Sequence, residues 1–471
     1  MNERRNLWAL VAVALATFMT YLDNNIINVA IPVIERELHL TTAGMEWIVS
    51  SYILTFAGLM LIGGRLADLF GRRRLFLIGL AIFTLASLAA GLSGDVGTLI
   101  ASRAVQGVGA ALLTPTTLAI ISATFPDQRD RNVAIGIWGA VGALALAAGP
   151  LLGGLLSEHV AWEWIFFINV PLGIITAAIA VWSIDESRDP VERRLDLRGL
   201  VTSTLALTAL TYALIEGTTQ GWGSGVILMS FAIAAVSALS FIAIERTTVD
   251  PMVDLALFRN RIFSGALAAS MLWAFGLFGI YFFTSLYLQG VLGFSPTKAG
   301  LTFVPMALCM AVSAAASESV ARRLGAYRSV SAGMAVMGIG IASVFLFGRD
   351  ATMADLMPSF IAIGIGGGMT IPLTAAALSV MPQDQAGVAS GVLNTSRELA
   401  GLLGITIIGV ILTTRQDSML EAGKAPVDAF LGGYQLGLII AGLLVLAGGV
   451  ASWVALRRAE SEPVLNEDVL V

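Results

Sequence analysis

Apolar runs of roughly 20 residues recur from one end of this chain to the other, and that length matches ~30 Å of hydrocarbon crossed at ~1.5 Å per helical residue. A segment surrounded by lipid must satisfy its backbone internally, which favours helices; a barrel would need alternating strands of about 10 residues. The runs predict an all-α integral membrane protein with spans near 7–34, 45–66, 75–93, 97–122, 133–156, 164–184, 198–216, 224–245, 263–291, 299–320, 328–348, 356–379, 387–413 and 432–456. Composition agrees: 57% of the 471 residues are hydrophobic and 13% charged, against about half and a quarter in soluble domains. No polar stretch is long enough for a separate soluble domain. The first run is too long for a signal-peptide core and reads as a permanent span. Cys309 is the single cysteine, so it forms no disulfide within the chain and suggests no metal site. Its simplest role is packing.

The net charge of -5 says little, but the distribution of charge says much. With the N-terminus inside, 20 of the 27 basic residues, including Arg72–Arg74, Arg193 and Arg194, fall at cytoplasmic ends and loops. Arg36, Lys298, Arg349, Arg415 and Lys424 fall outside, while Arg103 and Arg397 remain within spans. This positive-inside bias supports an even number of spans with both termini cytoplasmic.

The chain also echoes itself. Gly107, Gly109 and Pro115 match Gly364, Gly366 and Pro372, and Val133, Ala134 and Gly136 match Val388, Ala389 and Gly391. Asp68 with Arg72 and Arg73 matches Glu318 with Arg322 and Arg323. The expected plan is an N-terminal six-helix half (1–188), two inserted helices (189–258), a C-terminal six-helix half (259–458) and a disordered cytoplasmic tail (459–471). Two parallel halves around a midplane site form a transporter architecture.

Four stretches are specific enough to carry a resemblance: Leu22–Pro32 with Asp23 in the first span, Gly64–Arg74 between spans two and three, Arg103–Gly109 in span four, and Gly149–Gly154 in span five. Trp162–Pro171 adds a fifth, with Glu163 where an arginine is more usual. Together they resemble the fourteen-span drug:proton antiporters of the major facilitator superfamily, over nearly the whole chain. The resemblance implies a cytoplasmic gate at Gly64, Asp68, Gly71, Arg72 and Arg73, with Glu318 and Arg322 as its weaker twin. It also implies an antiporter helix bearing Gly142, Gly149, Pro150, Gly153 and Gly154. The residues themselves support that helix: Gly139, Gly142, Ala145, Gly149 and Gly153 fall on one small-residue face, suited to close helix approach, and Pro150 removes a backbone donor.

Charges inside the membrane are costly and point to function. Asp23 lies ~24 Å from the inner end of its span and Arg103 ~9 Å from the outer end of span four, so both land at similar depth in a ~30 Å core. They are expected to pair or to share a water network, with Gln106 on the same helix face as Arg103. The expected chemistry is proton exchange, or exchange of a proton for a cationic substrate, at Asp23. An opposite charge favours the ionised carboxylate and desolvation the neutral one. A static ion pair is the alternative. Arg397 and Glu398 point ~100° apart on span thirteen, and either is a candidate member of the coupling network. Glu216, ending span seven, and Glu46, opening span two, are weaker candidates near outer water. Gln106, Trp273, Phe278 and Tyr281 are the candidate substrate contacts, since aromatic faces suit lipophilic cations.

These readings converge on a proton-coupled exporter of lipophilic drugs or antibiotics, cationic ones included, in a bacterial cytoplasmic membrane. Its expected partners are the substrate, protons and lipid. No cofactor, metal or nucleic acid is expected, and a monomer is. No G-x-x-x-x-G-K-[ST] loop occurs, so ATP is not the expected energy source. A metabolite transporter of other coupling and a non-transporting membrane sensor are the alternatives; an enzyme ranks last, because no His–carboxylate cluster or activated nucleophile stands at membrane depth.

Overall fold

The protein is described by a computed structural model covering residues 2–188, 196–249, 251–381 and 386–461. Arg193 and Arg194, and the tail beyond Ser461, lie outside the described residues. The start of the expected tail, 459–461, continues the last helix.

Among the described residues, fourteen helices are long and apolar enough to cross a membrane. They are α1 (Arg4–Leu38), α2 (Thr42–Phe70), α3 (Arg72–Gly91), α4 (Val96–Thr124), α5 (Gln128–His159), α6 (Trp164–Ser183), α7 (Leu197–Gln220), α8 (Gly225–Thr247), α9 (Arg261–Val291), α10 (Pro296–Leu324), α11 (Ala326–Leu346), α12 (Met353–Ser379), α13 (Ala389–Glu421) and α14 (Pro426–Arg457). No strand occurs among the described residues. Several starts are capped by side chains: Thr41, Asp95, Asp127, Ser224 and Ser295 each accept a first-turn N–H. Only 22% of the apolar window of α5, and likewise of α8, is buried inside the protein. Their remaining apolar surface, with exposed residues such as Leu144 and Leu239, is therefore left for lipid.

Helices α1–α6 pack on one another, as do α9–α14. The two groups meet along α5 against α10 and α2 against α13. α7 and α8 pair with each other, and α7 also lies against both α2 and α13, across that second seam.

The repeat appears as matched close approaches. A Cβ on Gly107 would collide with the Tyr52 carbonyl of α2, and one on Gly364 with the Met306 carbonyl of α10. Gly109 abuts the Phe83 amide of α3, and Gly366 the Met337 amide of α11. Tyr52 and Met306, Phe83 and Met337, and the turn glycines Gly71 and Gly325 are each separated by the same 254 residues. That spacing corrects the expected twin of the gate. Gly71 (φ 104) precedes Arg72, whereas Gly325 (φ 89) follows Arg322 and Arg323. The second arginine pair thus ends α10 instead of opening α11, and Glu318 with Arg322 forms an exposed i,i+4 pair at 3.3 Å. Pro115 and Pro372 also differ. Pro115 sits inside continuous α4, whereas α12 breaks at Met369 and Thr370, between Gly366–Gly368 and Pro372. Consecutive glycines weaken the turn that a following proline already deprives of a donor.

Candidate functional site

The two ends of the bundle differ. At the end opposite the arginines, the two groups of helices are sealed together. The missing side chain of Gly154 admits the Pro296 carbonyl of α10, and that of Gly300 admits the Pro150 carbonyl of α5. Glu158 accepts the Thr297 N–H at 2.8 Å, and Gln289 donates to the Val29 carbonyl at 2.8 Å. The expected glycine face of α5 therefore serves two neighbours: Gly142, Gly149 and Gly153 lie against α1, while Gly154 and the Pro150 backbone meet α10. Gly139 is not part of this face, because a Cβ there would meet nothing within 4 Å.

Toward the arginine-rich end the helices part around a cavity of ≈ 490 Å³. It runs from Tyr21, Asn24 and Glu398 at mid-depth to Arg65 and Asp68, and Tyr52, Phe56, Met60, Leu118 and Trp138 make its wall apolar and aromatic. Among the described residues, Asp68 and Glu398 are the carboxylates lining it, and Glu398 is the deeper one. Glu398 accepts no hydrogen bond and forms no ion pair among the described residues. Its neighbour Arg397 points elsewhere, as their ~100° separation requires. Arg397 donates to Thr374 of α12 at 2.7 Å and stands 5.7 Å from the Trp273 ring of α9.

The sequence-derived aromatic candidates do not line this cavity. Tyr281 is buried 4.4 Å from the Phe303 ring inside the second half, Phe278 rests on Gly401 of α13, and Trp273 stacks near Arg397. They pack α9 against its neighbours. Gln106 does not reach the cavity either. The wall residues that replace them, Tyr52, Phe56 and Trp138, lie on helices whose facing no periodicity in a uniformly apolar run reveals.

Asp23 and Arg103 do meet. Arg103 Nη1 pairs with Asp23 Oδ2, and both side chains are fully buried. Gln106 donates to Asp23 Oδ1 at 2.8 Å and accepts from Arg103 at 2.8 Å. Asn169 of α6 adds a donor to Asp23 at 3.1 Å and another to Ser87 of α3 at 3.0 Å. Arg103 also reaches the Ile48 carbonyl of α2, and its guanidinium lies 4.3 Å from the centre of the Tyr52 ring. The cluster joins α1, α2, α3, α4 and α6. It does not line the cavity: Tyr52 stands on both, while Asp23 and Arg103 lie behind it. Asn169, within the Trp162–Pro171 stretch, was the signal available in the sequence, but its partner on α1 is a tertiary fact.

At the arginine-rich end, Asp68 accepts from Arg72 at 3.1 Å within the turn around Gly71. The free N–H groups at the start of α3 are capped by the segment that follows α6. Glu186, just beyond α6, accepts from Arg73 N at 3.1 Å and Arg74 N at 3.2 Å. A Cβ on Gly71 would overlap that carboxylate. Arg73 Nη2 donates to the Val181 carbonyl at 2.5 Å, and Gly64 lies against Pro115 of α4. These contacts all stay within α1–α6, so the turn does not clasp the second half here. Arg65 does reach out of that group, to the Pro251 carbonyl at 3.4 Å. Glu216 lies at the opposite end, where it accepts from Trp47 Nε1 at 3.0 Å. It makes no contact with Asp23 and does not line the cavity that holds Glu398.

Fourteen spans, twelve of them in two packed groups that part at one end around an apolar cavity with a carboxylate at mid-depth, define a polytopic membrane transporter. Residues 13–405 match the Major Facilitator Superfamily, and the chain belongs to that family. It is 34% identical over 420 residues to the multidrug resistance protein Stp of Mycobacterium tuberculosis (strain CDC 1551 / Oshkosh), covering 89% of this chain and 78% of that one. It is 33% identical over 468 residues to the puromycin resistance protein pur8 of Streptomyces alboniger, covering 96% and 92%. It is 34% identical over 408 residues to the tetracenomycin C resistance and export protein of Streptomyces glaucescens, covering 86% and 76%. Among solved structures, the POT family transporter PepTSo matches with a TM-score of 0.70 at 14% identity, covering 98% of this chain and 99% of that one. A bacterial homologue of the human lysosomal transporter Spinster matches with a TM-score of 0.69 at 16% identity, covering 96% and 97%. The family and these relatives are transporters, not enzymes.

Proposed function

We propose that this protein is a proton-coupled exporter of lipophilic drugs or antibiotics that works by alternating access, with both termini in the cytoplasm of a bacterial cell. The observation that carries the reading is the ≈ 490 Å³ apolar and aromatic cavity holding Glu398 at mid-depth. Such a wall suits a lipophilic molecule, and an unpaired carboxylate in it suits a positive charge, on either a substrate or a proton. The relatives named for multidrug resistance and for antibiotic export support the substrate class. By the positive-inside rule, the arginine-rich end is cytoplasmic, and the cavity then opens inward.

In this reading α1–α6 and α9–α14 rock against each other along the α5–α10 and α2–α13 seams, while α7–α8 are an inserted pair. Glu398 binds proton and cationic substrate by turns: an arriving proton removes the charge that holds the substrate. Asp23 and Arg103 are positioning residues here. They lock the first half into one body, and proton exchange at Asp23 would require that enclosed cluster to open. Arg397 positions α13 against α9 and α12. The Asp68 turn, free of the second half in this conformation, engages it when the cytoplasmic end closes. Each net charge carried inward gains about 2.3 kcal/mol at 100 mV, so a one-for-one exchange of a proton for a monovalent cation is driven by the pH difference, and a neutral substrate draws on the potential as well.

Efflux of a lipophilic cationic dye from cells, with and without a protonophore, tests the reading beside Glu398→Gln. Wild-type efflux is expected to stop when the gradient collapses. Glu398→Gln is expected to lose at least about tenfold of its cation efflux, about 1.4 kcal/mol, at unchanged membrane abundance. Efflux that survives collapse of the gradient removes the proton from the mechanism, and full efflux by Glu398→Gln removes that residue.

A further inference from the structure

A second carboxylate pocket lies at the opposite end of the same seam. Between α2, α7 and α13 is a space of ≈ 210 Å³, lined by Glu46, Ile215, Thr218, Thr219, Thr413 and Asp417 among others. Glu46 is 3% exposed, yet it accepts no hydrogen bond and meets no cation among the described residues. Its carboxylate crosses from α2 to lie flat on Gly409 of α13, where a Cβ would overlap it. An isolated buried carboxylate is costly while it stays charged and unpaired.

Among the described residues, the surroundings hold no compensating positive charge. α7 contributes Glu216, engaged by Trp47 at 3.0 Å, and α13 contributes Asp417, while Arg415 of α13 is exposed and does not line the pocket. On the other side of α2, Arg103 of α4 reaches the Ile48 carbonyl but is paired with Asp23. His39, the histidine of the α1–α2 loop, is exposed. A carboxylate in a pocket lined by threonines is a hard-oxygen environment suited to a small cation.

We propose that Glu46 is the acceptor of a second cation site facing the outer medium. A proton or a small monovalent cation from outside neutralises it as the α2–α13 seam closes. The inserted helix α7 supplies the outer wall, so the inserted pair roofs the seam and shapes the entry to Glu46. When the halves part at this end, Glu46 regains water and the cation leaves. The proposal rests on the alternating-access reading above.

Electron–electron spin distance measurements across the seam test it. Labels at His39→Cys and Glu421→Cys, both exposed, in a Cys309→Ser background also remove the loop histidine from the titration. The protein is held in lipid nanodiscs with N-methylglucamine as the only cation and taken from acid to alkaline pH. A short distance is expected in acid and a longer population in alkali. Glu46→Gln is expected to hold the short distance throughout. Gly409→Ala, whose methyl meets the carboxylate, is expected to favour the long distance at every pH.

Sodium or potassium restoring the short distance in alkali assigns the site to a metal cation; recovery by acid alone assigns it to the proton. A wild-type distance indifferent to both, or a Glu46→Gln variant that titrates like wild type, overturns the site. Efflux by the same labelled protein in proteoliposomes separates this failure from a wider one. Active efflux with a pH-indifferent seam rejects only the Glu46 site. One fixed distance under all conditions, the lipophilic cationic dye included, with no efflux of that dye rejects alternating access as well.

Discussion

Arg103 is fully enclosed by protein, and its charge is tolerable only because Asp23, Gln106 and the Ile48 carbonyl meet it. Removing one partner of such a pair leaves an uncompensated buried charge, which typically costs about 3–5 kcal/mol. Asp23→Asn is therefore expected to lower the thermal unfolding temperature of the detergent-purified protein well below wild type. Asp23→Asn with Arg103→Gln is expected to recover part of the loss, because both charges are gone. If the double variant is no better than the single, the pair is not coupled. At the turn before α3, Gly71→Ala faces two penalties: a positive φ of 104° with ψ of 133°, a sparsely populated conformation costing about 1–3 kcal/mol, and overlap with the Glu186 carboxylate. In a Glu186→Ala background, which already lacks the cap on Arg73 N and Arg74 N, Gly71→Ala is expected to lower thermal stability less than it does in wild type, because only the backbone strain remains. The residue types of the Asp23 cluster were legible from their depth in two spans, since an intramembrane charge needs a partner at its own level. The partners of Asn169 and Glu186 were not. Both side chains reach helices far away in sequence, and polar residues near span ends are ordinary in any membrane chain.

At the scale of helices, close approach is set by what glycine leaves out. α5 touches α1 through Gly149 and Gly153 and α10 through Gly154, so adjacent glycines serve opposite neighbours. Gly154→Val is expected to wedge the α5–α10 seam at the sealed end, whereas Gly139→Val, at a position with nothing within 4 Å, is expected to be tolerated. Labelling of a cysteine at Thr297 by a membrane-impermeant thiol reagent should rise in the first variant and stay at the wild-type level in the second. Equal labelling in both would show that the contact does not hold the seam. The glycine spacing was readable in the sequence as a packing face. Which glycine meets which helix was not, because a small-residue stripe specifies closeness without naming the partner. The gate's twin failed for a related reason. Two arginines after an acidic residue recur at both places, but only the turn glycines reveal that one pair starts a helix and the other ends one.

For the whole molecule, the arginine distribution predicts an orientation with both termini in the cytoplasm. Cysteines at His39 and Asp95 are expected to react with an impermeant reagent added to intact cells, and cysteines at Arg131 and Asp185 only after the membrane is opened. The reverse pattern would invert the protein and turn the proposed exporter into an importer. The number of spans, their approximate limits and the presence of a repeat follow from the sequence alone, because lipid demands about 20 apolar residues per crossing and repeat-related glycines keep their spacing. The cavity wall and the isolation of Glu398 and Glu46 come only from tertiary structure. In a helix that is apolar all round, lipid-facing and protein-facing sides look alike, and only the packed neighbours decide which residues line the space between the halves.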